Sequence, residues 1–245
     1  MKIIDREFGP GHTLIVAELS SNHGGSLDRA LQLVDSAADV GADAVKLQCY
    51  TPLEMTTMRG AGQAPPPWQD MTLSDLYERF QTPWEWFPEL FAHARERGLI
   101  AFSSVFGIAS LKFLEELQCP AYKIAAPDCY RHELVRAAKR TGKPVIASTN
   151  APVRLDLPDA VLWCPEGYPQ PRAQLEYIRT LDGYSCHRAE PLLGALAVAN
   201  GAWIVEAHLG GRNRQADLPD SAFWLDPTQF QRMVMLIREA ESCIT

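Results

Sequence analysis

Residues 13–48 read TLIVAELSSNHGGSLDRALQLVDSAADVGADAVKLQ and contain the repeating unit of the fold. Two short apolar runs, residues 13–18 and 44–48, have the length and composition of buried strands. Between them, the apolar spacing of residues 27–40 is helical, and Gly41 supplies the left-handed residue that ends many helices. A strand, a helix and a second strand in this order predict a βαβ unit with parallel strands.

The same alternation continues along the rest of the chain. Eight strands alternating with helices predict a closed (β/α)8 barrel, or TIM barrel, and the length suits a single domain over residues 1–245. The predicted strands are residues 13–18, 44–48, 100–104, 121–125, 144–148, 160–164, 183–185 and 202–206. The predicted helices are residues 27–40, 84–97, 110–117, 132–140, 172–181, 191–200 and 227–242.

Two connections depart from this alternation. Residues 150–159, NAPVRLDLPD, are too few and too rich in turn formers for a crossover with a helix of several turns, so the fifth helix is expected to be short or absent. Residues 50–83 form a long predicted loop that contains Gly60, Gly62 and three prolines, Pro65 to Pro67. Loops of this length in a compact domain are usually functional lids or mobile segments.

The missing helix has a consequence for the barrel wall. Strand side chains alternate, so some of Val145, Val161 and Trp163 should point outward, where a helix would normally cover them. We expect the uncovered strip to be buried by a second copy of the chain, as a homodimer. The alternative is that Trp163 points inward and the apolar side chains of the linker cover the gap.

The composition excludes several classes of protein. A net charge of −7 and a pI near 5.4 argue against a nucleic-acid or anionic-membrane surface, since both need a basic face. The chain starts without an apolar stretch long enough for a signal peptide or a membrane span, so a cytoplasmic protein is expected. The six cysteines are scattered without a CxxC motif and predict neither a zinc ribbon nor a disulfide framework.

Polar residues cluster where the predicted strands end, and this end of a barrel carries its catalytic groups. Lys46 and Lys123 stand inside apolar strands, where a buried charge normally has a partner or a ligand. With nearby hydroxyls they could converge on a phosphate and a carboxylate. His187 and His208 follow neighbouring strands and could bind a divalent metal. Taken singly, each lysine fits a solvated strand end and each histidine fits a hydrogen-bonded structural residue.

Several motifs together resemble one enzyme family. The run IVAELSSNHGGSLDRALQLVDSAADVGADAVKLQ resembles the opening of the N-acetylneuraminate (sialic acid) synthases, which reads roughly AEIGxNHxG and then GADAVKFQ. The later runs FSSVF, YKIAAPD, KPVIAST, CPEGYPQP, GYSCH, GAWIVEAH and LPDSAFWLDP follow the order of that family. The resemblance extends from about Thr13 to the C-terminus, and the joint pattern is far more specific than any single run.

The resemblance implies a transferase that condenses phosphoenolpyruvate with an open-chain N-acylated hexosamine, releases phosphate and forms a sialic-acid-like keto acid. It also implies a divalent metal, Mn²⁺ or alternatively Mg²⁺ or Co²⁺, on His187 and His208, where it can polarise the sugar aldehyde. The implied catalytic residues are Glu18, Lys46, Lys123 and Asp128, with Asp128 assigned to proton transfer. The implied substrate contacts are Asn22, Gln48, Ser104, Ser148, Tyr168, Ser185 and Asp220.

The sequence departs from the family at four positions near these motifs. Ala126 stands where the family usually has serine, Glu166 where it has asparagine, and SDHT reads SCHR, with Cys186 and Arg188. A carboxylate at position 166 would repel a phosphate unless it is turned away or paired, and Arg188 could compensate for it. We also expect no C-terminal antifreeze-like domain of the kind the family commonly carries, which leaves the acyl-sugar preference open.

Three other functions fit the same residues. One is a related synthase that makes a deoxy-keto acid from another aldose. The second is an aldolase in which Lys46 or Lys123 forms a Schiff base, because a desolvated lysine is nucleophilic. The third is an inactive homologue that only binds a ligand, which the residues at 126, 166 and 186 would permit.

Overall fold

The computed structural model describes residues 1–60, 62–65, 68–213 and 217–244. Within them, eight parallel strands pair in chain order and close into a barrel, which confirms the predicted fold. A short antiparallel hairpin, β1 (Lys2–Ile3) and β2 (Arg6–Glu7), precedes the barrel. The barrel strands are β3 (Leu14–Glu18), β4 (Ala44–Cys49), β5 (Ile100–Val105), β6 (Tyr122–Ile124), β7 (Val145–Thr149), β8 (Ala160–Trp163), β9 (Gly183–Cys186) and β10 (Ile204–His208).

The stretch quoted at the outset forms β3, helix α1 (Leu27–Asp39) and β4, as predicted. Ser26 caps the start of α1, since its hydroxyl accepts a hydrogen bond from the Arg29 N–H at 3.3 Å. Gly41, with φ of 83°, ends the helical segment in the left-handed conformation. Asp43 then accepts a hydrogen bond from a backbone N–H of β3 at 2.9 Å, which holds the turn before β4 against its neighbour.

The structure adds two helices to the region predicted as a long loop. These helices are α2 (Pro52–Arg59) and α3 (Leu73–Phe80), each begun by a threonine capping box, Thr51 with Glu54 and Thr72 with Asp75. Pro66 and Pro67 of the predicted loop lie outside the described residues. The remaining helices are α4 (Phe87–Glu96), α5 (Ile108–Glu116), α6 (His132–Arg140), α7 (Leu192–Ala199) and α8 (Pro227–Ile244). None of these helices is long and apolar enough to span a bilayer.

The prediction of an α-helix over residues 172–181 is wrong. The segment forms only a 3-10 helix, Leu175–Thr180, which follows Gln174 in a left-handed conformation. A 3-10 helix has three residues per turn, so its apolar residues at spacing three share one face. Leu175 and Ile178 stand at this spacing, with Ile178 buried, and Leu181 follows the helix in an extended conformation and is buried as well.

Residues 150–159 form no helix, which confirms the predicted gap after β7. The expectation of an uncovered apolar strip is wrong. Trp163 pairs in register with Thr149 and packs against Tyr177 of the 3-10 helix, with ring centroids 4.8 Å apart. Leu155 and Leu157 of the linker also pack against the core. One chain therefore covers its own wall, and the reason for expecting a homodimer is removed. The side chains in question are all buried: Val145, Val161 and Trp163.

The inward positions of the barrel change character along each strand. On β3 these positions run from Leu14 through Val16 to Glu18, and on β10 from Ile204 through Glu206 to His208. Parallel register puts these two charged ends side by side. The barrel interior is therefore apolar below and polar at the C-terminal ends of the strands, where a TIM barrel carries its site.

His23 follows β3 and is almost completely buried. Its Nδ1 accepts a hydrogen bond from the Gly25 N–H at 3.1 Å, and its Nε2 lies 3.1 Å from the Thr82 hydroxyl. A proton on Nδ1 would lose the bond from Gly25, so the fold favours the neutral ring. Burial, and then the charge of Arg29, lower the pKa of His23 to about 4.

We predict that His23 makes the fold sensitive to acid. The folded ring resists protonation while the unfolded ring gains a proton near pH 6.5, so unfolding free energy is lost as the pH falls from about 6.5 to about 4. The loss should approach ~3 kcal/mol, at 1.36 kcal/mol per pKa unit. Urea unfolding at pH 7 and pH 4.5 measures it, with His23→Gln as the reference that lacks this titration. Equal acid losses in the two proteins would contradict the assignment.

Candidate active site

A cavity of about 370 Å³ opens at the C-terminal mouth of the barrel. It collects side chains from β3, β4, β5, β6, β7, β9 and β10 and from the loops that follow the strands. Eleven of the thirteen residues singled out in the sequence line it. They are Glu18, Lys46, Gln48, Ser104, Lys123, Ser148, Tyr168, Ser185, His187, His208 and Asp220.

A buried charged cluster forms the floor of the cavity. Lys46 pairs with Glu18 and its Nζ lies 3.6 Å from Glu206 Oε1. The same Nζ donates to the Ser104 hydroxyl at 3.0 Å. Burial alone would lower the pKa of Lys46, but the two carboxylates outweigh it and raise the pKa. Lys46 is therefore a permanently charged residue whose charge is already neutralised by the protein.

Glu206 is the residue of this cluster that the sequence interpretation did not select. Burial would raise its pKa, but Lys123 and Lys46 outweigh burial and lower it, so the carboxylate is ionised. Its Oε1 accepts a hydrogen bond from the Ser185 hydroxyl at 3.0 Å. The signal that could have revealed it is its position two residues before His208 in an apolar strand, which puts both side chains on the inner face.

Lys123 has different surroundings from Lys46. Its Nζ donates to the Ser148 hydroxyl at 2.5 Å and to the Ile124 carbonyl at 3.4 Å, and among the described residues no carboxylate pairs with it directly. Burial, opposed by Glu206 and reinforced by Lys46, lowers its pKa. The cavity thus presents one lysine that the protein has neutralised and one that is available to an anion.

The two histidines lie next to each other on the opposite wall. Their ring centroids are 5.1 Å apart, within the span that two imidazoles cover around one ion at about 2.0–2.1 Å per bond. His208 Nδ1 lies 3.2 Å from Asp220 Oδ2, and His187 Nδ1 lies 3.4 Å from Gln170 Nε2. Both rings line the cavity, and a carboxylate behind a histidine, as Asp220 is behind His208, is common at metal sites.

The protonation states of the two rings differ. Burial, and then the neighbouring His208, lower the pKa of His187 to about 3, so His187 is neutral at pH 7. Burial would also lower the pKa of His208, but Asp220 outweighs it and raises the pKa. Among the described residues, no three His, Cys, Asp or Glu side chains form a complete ligand cluster. An ion held here would have two imidazoles and open positions.

Aromatic and amide side chains surround the histidines. Tyr168 and Phe223 pack on the imidazoles, with ring centroids 4.4 Å from His187 and 4.8 Å from His208, respectively. Gln48 donates through Nε2 to Glu18 Oε1 at 2.9 Å. This wall therefore contains apolar ring faces and a few hydrogen-bonding groups, a combination that is common in binding sites for small molecules.

Two predicted site residues do not line the cavity. Asn22 donates through Nδ2 to the Leu209 carbonyl at 2.8 Å and so ties the loop after β3 to the loop after β10. Asp128 is fully buried beside Arg59 and Arg131, whose nitrogens lie 3.2 Å and 3.6 Å from its oxygens. Burial raises the pKa of Asp128 in spite of the two arginines. Its neighbours in the chain, rather than Asp128 itself, face the cavity.

The substituted positions lie mostly away from the cavity. Glu166 is exposed, accepts a hydrogen bond from Asn150 Nδ2 at 2.9 Å and is not part of the cavity lining. Arg188 is exposed and donates to the Pro171 carbonyl at 3.0 Å, so it does not act as the expected compensating charge. Ala126 does line the cavity and leaves it one hydroxyl short of the family pattern.

Comparison with known proteins identifies clear relatives. The model of the NeuB family matches residues 33–245. A pseudaminic acid synthase of Campylobacter jejuni subsp. jejuni serotype O:23/36 (strain 81-176) is 33% identical, and the match covers 94% of this chain and 74% of the relative. A pseudaminic acid synthase of Helicobacter pylori (strain ATCC 700392 / 26695) is 34% identical, over 92% and 74%. An N-acetylneuraminic acid synthetase structure from Leptospira borgpetersenii serovar Hardjo-bovis has the same fold, with a TM-score of 0.86, 24% identity and coverage of 100% and 89%.

We predict that the two buried lysines differ in their contribution to stability. Lys46→Met should lower the unfolding free energy by about 3–5 kcal/mol, because it leaves two buried carboxylates without their cation. Lys123→Met should cost less, about 1–2 kcal/mol, because Glu206 loses one of its two cations but keeps Lys46 within 3.6 Å. Denaturant unfolding at pH 7 measures both.

The matched control removes a carboxylate together with the cation. Lys46→Met combined with Glu18→Gln should recover part of the loss, since one buried negative charge then disappears. Equal losses in the two single lysine variants, or no recovery in the double variant, would show that the charged cluster does not govern the stability of the barrel mouth.

Proposed function

The chain belongs to the NeuB family, and on that premise we propose that it is a transferase that condenses phosphoenolpyruvate with an open-chain sugar aldehyde. The product is a nonulosonate, a sialic-acid-like keto acid, and phosphate is released. The observation that carries the proposal is one cavity that holds a buried lysine free for an anion, Lys123, and a pair of adjacent imidazoles, His187 and His208.

The lysine side of the cavity suits phosphoenolpyruvate, which carries a phosphate and a carboxylate. Lys123 and the hydroxyls of Ser104, Ser148 and Ser185 lie on this side and can donate to anionic oxygens. Lys46 contributes less to binding of the anion, because its charge is already paired with the carboxylates of Glu18 and Glu206. A buried anion held by several donors is also kept from water, which strengthens each contact.

The histidine side suits a divalent metal and the sugar. His187 and His208 would hold the ion through their imidazoles, and Mn²⁺ is the ion we propose, with Mg²⁺ and Co²⁺ as alternatives. When bound, such an ion acts as a Lewis acid toward the sugar aldehyde. Asp220 fixes the orientation of His208, and the remaining open positions suit an oxygen ligand rather than a closed structural site.

The sugar is bound between these two sides by residues that the structure brings together. Glu18, Gln48, Tyr168 and Asp220 line the cavity and supply acceptors and donors for hydroxyl groups. C3 of phosphoenolpyruvate then attacks the aldehyde carbon, and the aldehyde oxygen takes a proton to become a hydroxyl. Water adds to the cationic C2 and gives up a proton. The C2–O bond to phosphate then breaks as the new C2 hydroxyl loses its proton and becomes the ketone. The sequence predicts Asp128 for proton transfer, but Glu18 and Glu206 line the cavity and Asp128 does not, so these two carboxylates are the acceptors that we propose for a proton.

The acceptor that we propose is an N-acyl hexosamine. The relatives named as pseudaminic acid synthases support this class. The reaction would take place in the cytoplasm, where thiols stay reduced, and the six cysteines are all free thiols. The acidic chain suits small substrates rather than nucleic acid.

We predict phosphate release from phosphoenolpyruvate that depends on both Mn²⁺ and an aldose. A panel of aldoses with and without N-acyl groups, assayed for phosphate and for the new keto acid, tests the reaction and the acceptor class together. Chelation should abolish the release, and Mn²⁺ should restore it. His187→Ala should lower the rate by more than the roughly 10- to 100-fold that follows the loss of a residue that only supports a metal ligand.

Three results of this assay would each contradict a different part of the proposal. Release only with aldoses that lack an N-acyl group would replace the acceptor class and favour the related deoxy-keto-acid synthase. Binding of phosphoenolpyruvate without release, for every aldose, would favour the ligand-binding homologue. Full activity after complete chelation would remove the metal.

One observation favours a second candidate function, a Schiff-base aldolase. The lowered pKa of Lys123, caused by burial, is a property of lysines that attack carbonyl groups. We predict that borohydride treatment with pyruvate leaves the mass of the chain unchanged, because the ammonium serves as an anion ligand. A mass increase that disappears in Lys123→Met would overturn the synthase proposal in favour of the aldolase.

A further inference from the structure

Arg59 lies at the end of α2, in the region that the sequence predicted as a loop, and its side chain reaches the cavity. Its Nη2 lies 3.2 Å from Asp128 Oδ2, and its Nη1 lies 2.9 Å from the sulfur of Met55. The guanidinium carbon is 5.4 Å from the ring centroid of Phe106. The guanidinium is therefore held on a ring face, at the edge of the cavity that also contains Ala126.

The helix that carries Arg59 is fixed to the barrel at its other end. Glu54 Oε2 accepts a hydrogen bond from the Thr51 N–H at 3.1 Å, and its Oε1 accepts one from the Ser110 N–H at 3.2 Å, in the first turn of α5. A Cβ atom at Gly107 would lie 2.1 Å from Glu54 Oε1, so the carboxylate is tightly enclosed. Held by Glu54 at its start and by Arg59 at its end, α2 presents the guanidinium in a defined place.

A ligand with two anionic groups needs a second cation in the cavity besides Lys123, and Arg59 can supply it. Of the two lysines, Lys46 is neutralised by carboxylates, and only Lys123 is available to an anion. Phosphoenolpyruvate brings two anionic groups, and Ala126, which lines the cavity with Arg59, offers no side-chain donor to either of them. A planar fork with five donors can keep its contact with Asp128 and still donate to a second anion.

We propose that Arg59 is a ligand for an anionic group of phosphoenolpyruvate and acts together with Lys123 as the second cation that donates to the substrate, while it keeps its contact with Asp128. The inference rests on the proposed function and adds a residue to it that neither the motifs nor the strand ends supply. Binding then links α2 to the substrate, because the residue that ends the helix is also the one that contacts the anion.

The experiment measures the dissociation constant of phosphoenolpyruvate by calorimetry, with Mn²⁺ present and no aldose. Arg59→Met should weaken binding about 10- to 100-fold, the loss expected for one charge-assisted contact. Arg59→Lys should fall between that variant and the unchanged protein, because it keeps the charge and loses the fork. Circular dichroism checks that each variant is folded.

Arg131→Met is the matched control. Arg131 also contacts Asp128, at 3.6 Å, but does not line the cavity. Its replacement should leave the dissociation constant within about twofold, well below the ~1.4 kcal/mol of a tenfold change.

The outcomes separate this inference from the function on which it rests. Unchanged affinity in Arg59→Met, or a rise only in the KM of the aldose, overturns the role of Arg59 and leaves the synthase intact. Equal losses in the Arg59 and Arg131 variants show that Arg59 acts only through Asp128, which also overturns it. An unchanged protein that neither binds phosphoenolpyruvate nor releases phosphate from it overturns both.

Discussion

The cavity depends on one buried charge interaction, the pairing of Lys46 with Glu18 and Glu206 at the top of an otherwise apolar barrel. Moving such charges out of water is costly, and only their mutual attraction and hydrogen bonds offset the cost. Parallel register makes the arrangement possible, because the ends of β3, β4 and β10 meet at neighbouring inward positions. The cluster therefore fixes where the polar part of the interior begins.

This interaction also determines which of the remaining charged groups can bind a substrate. Since the charge of Lys46 is paired within the protein, Lys123 and Arg59 are the cations that we propose as ligands of the substrate. Asp220 lies beside His208, with its Oδ2 3.2 Å from His208 Nδ1. The anion side and the imidazole side are separated by only one cavity, which lets two substrates meet with their reacting carbons between two differently charged walls. Acceleration by positioning and by preorganised charge is the kind of catalysis that such an arrangement supports.

Much of the barrel and of the site follows from sequence, for identifiable physical reasons. Lys46 and Lys123 stood out because charges inside apolar strands need partners, and strand periodicity then put them on the inner face. Glu206 obeys the same rule, since it stands in an apolar strand two residues before His208, but the family motifs assign it no role. Arg59 could not be found this way, because it reaches the cavity from a helix whose capping box lay inside a region interpreted as a loop. Likewise, the burial of Trp163 depends on Tyr177 in the following 3-10 helix, and the residues of β8 alone do not predict this contact.

The account is tested most directly by a crystal structure with Mn²⁺ and phosphoenolpyruvate bound, measured at an X-ray energy where manganese scatters anomalously. It predicts one anomalous peak in bonding contact with an imidazole nitrogen of both His187 and His208, at about 2.0–2.2 Å by analogy with other first-row ions. It also predicts anionic oxygens of phosphoenolpyruvate against Lys123 and Arg59. A metal peak away from the two imidazoles, or phosphoenolpyruvate bound outside this cavity, would contradict the central claim that the two walls form one active site.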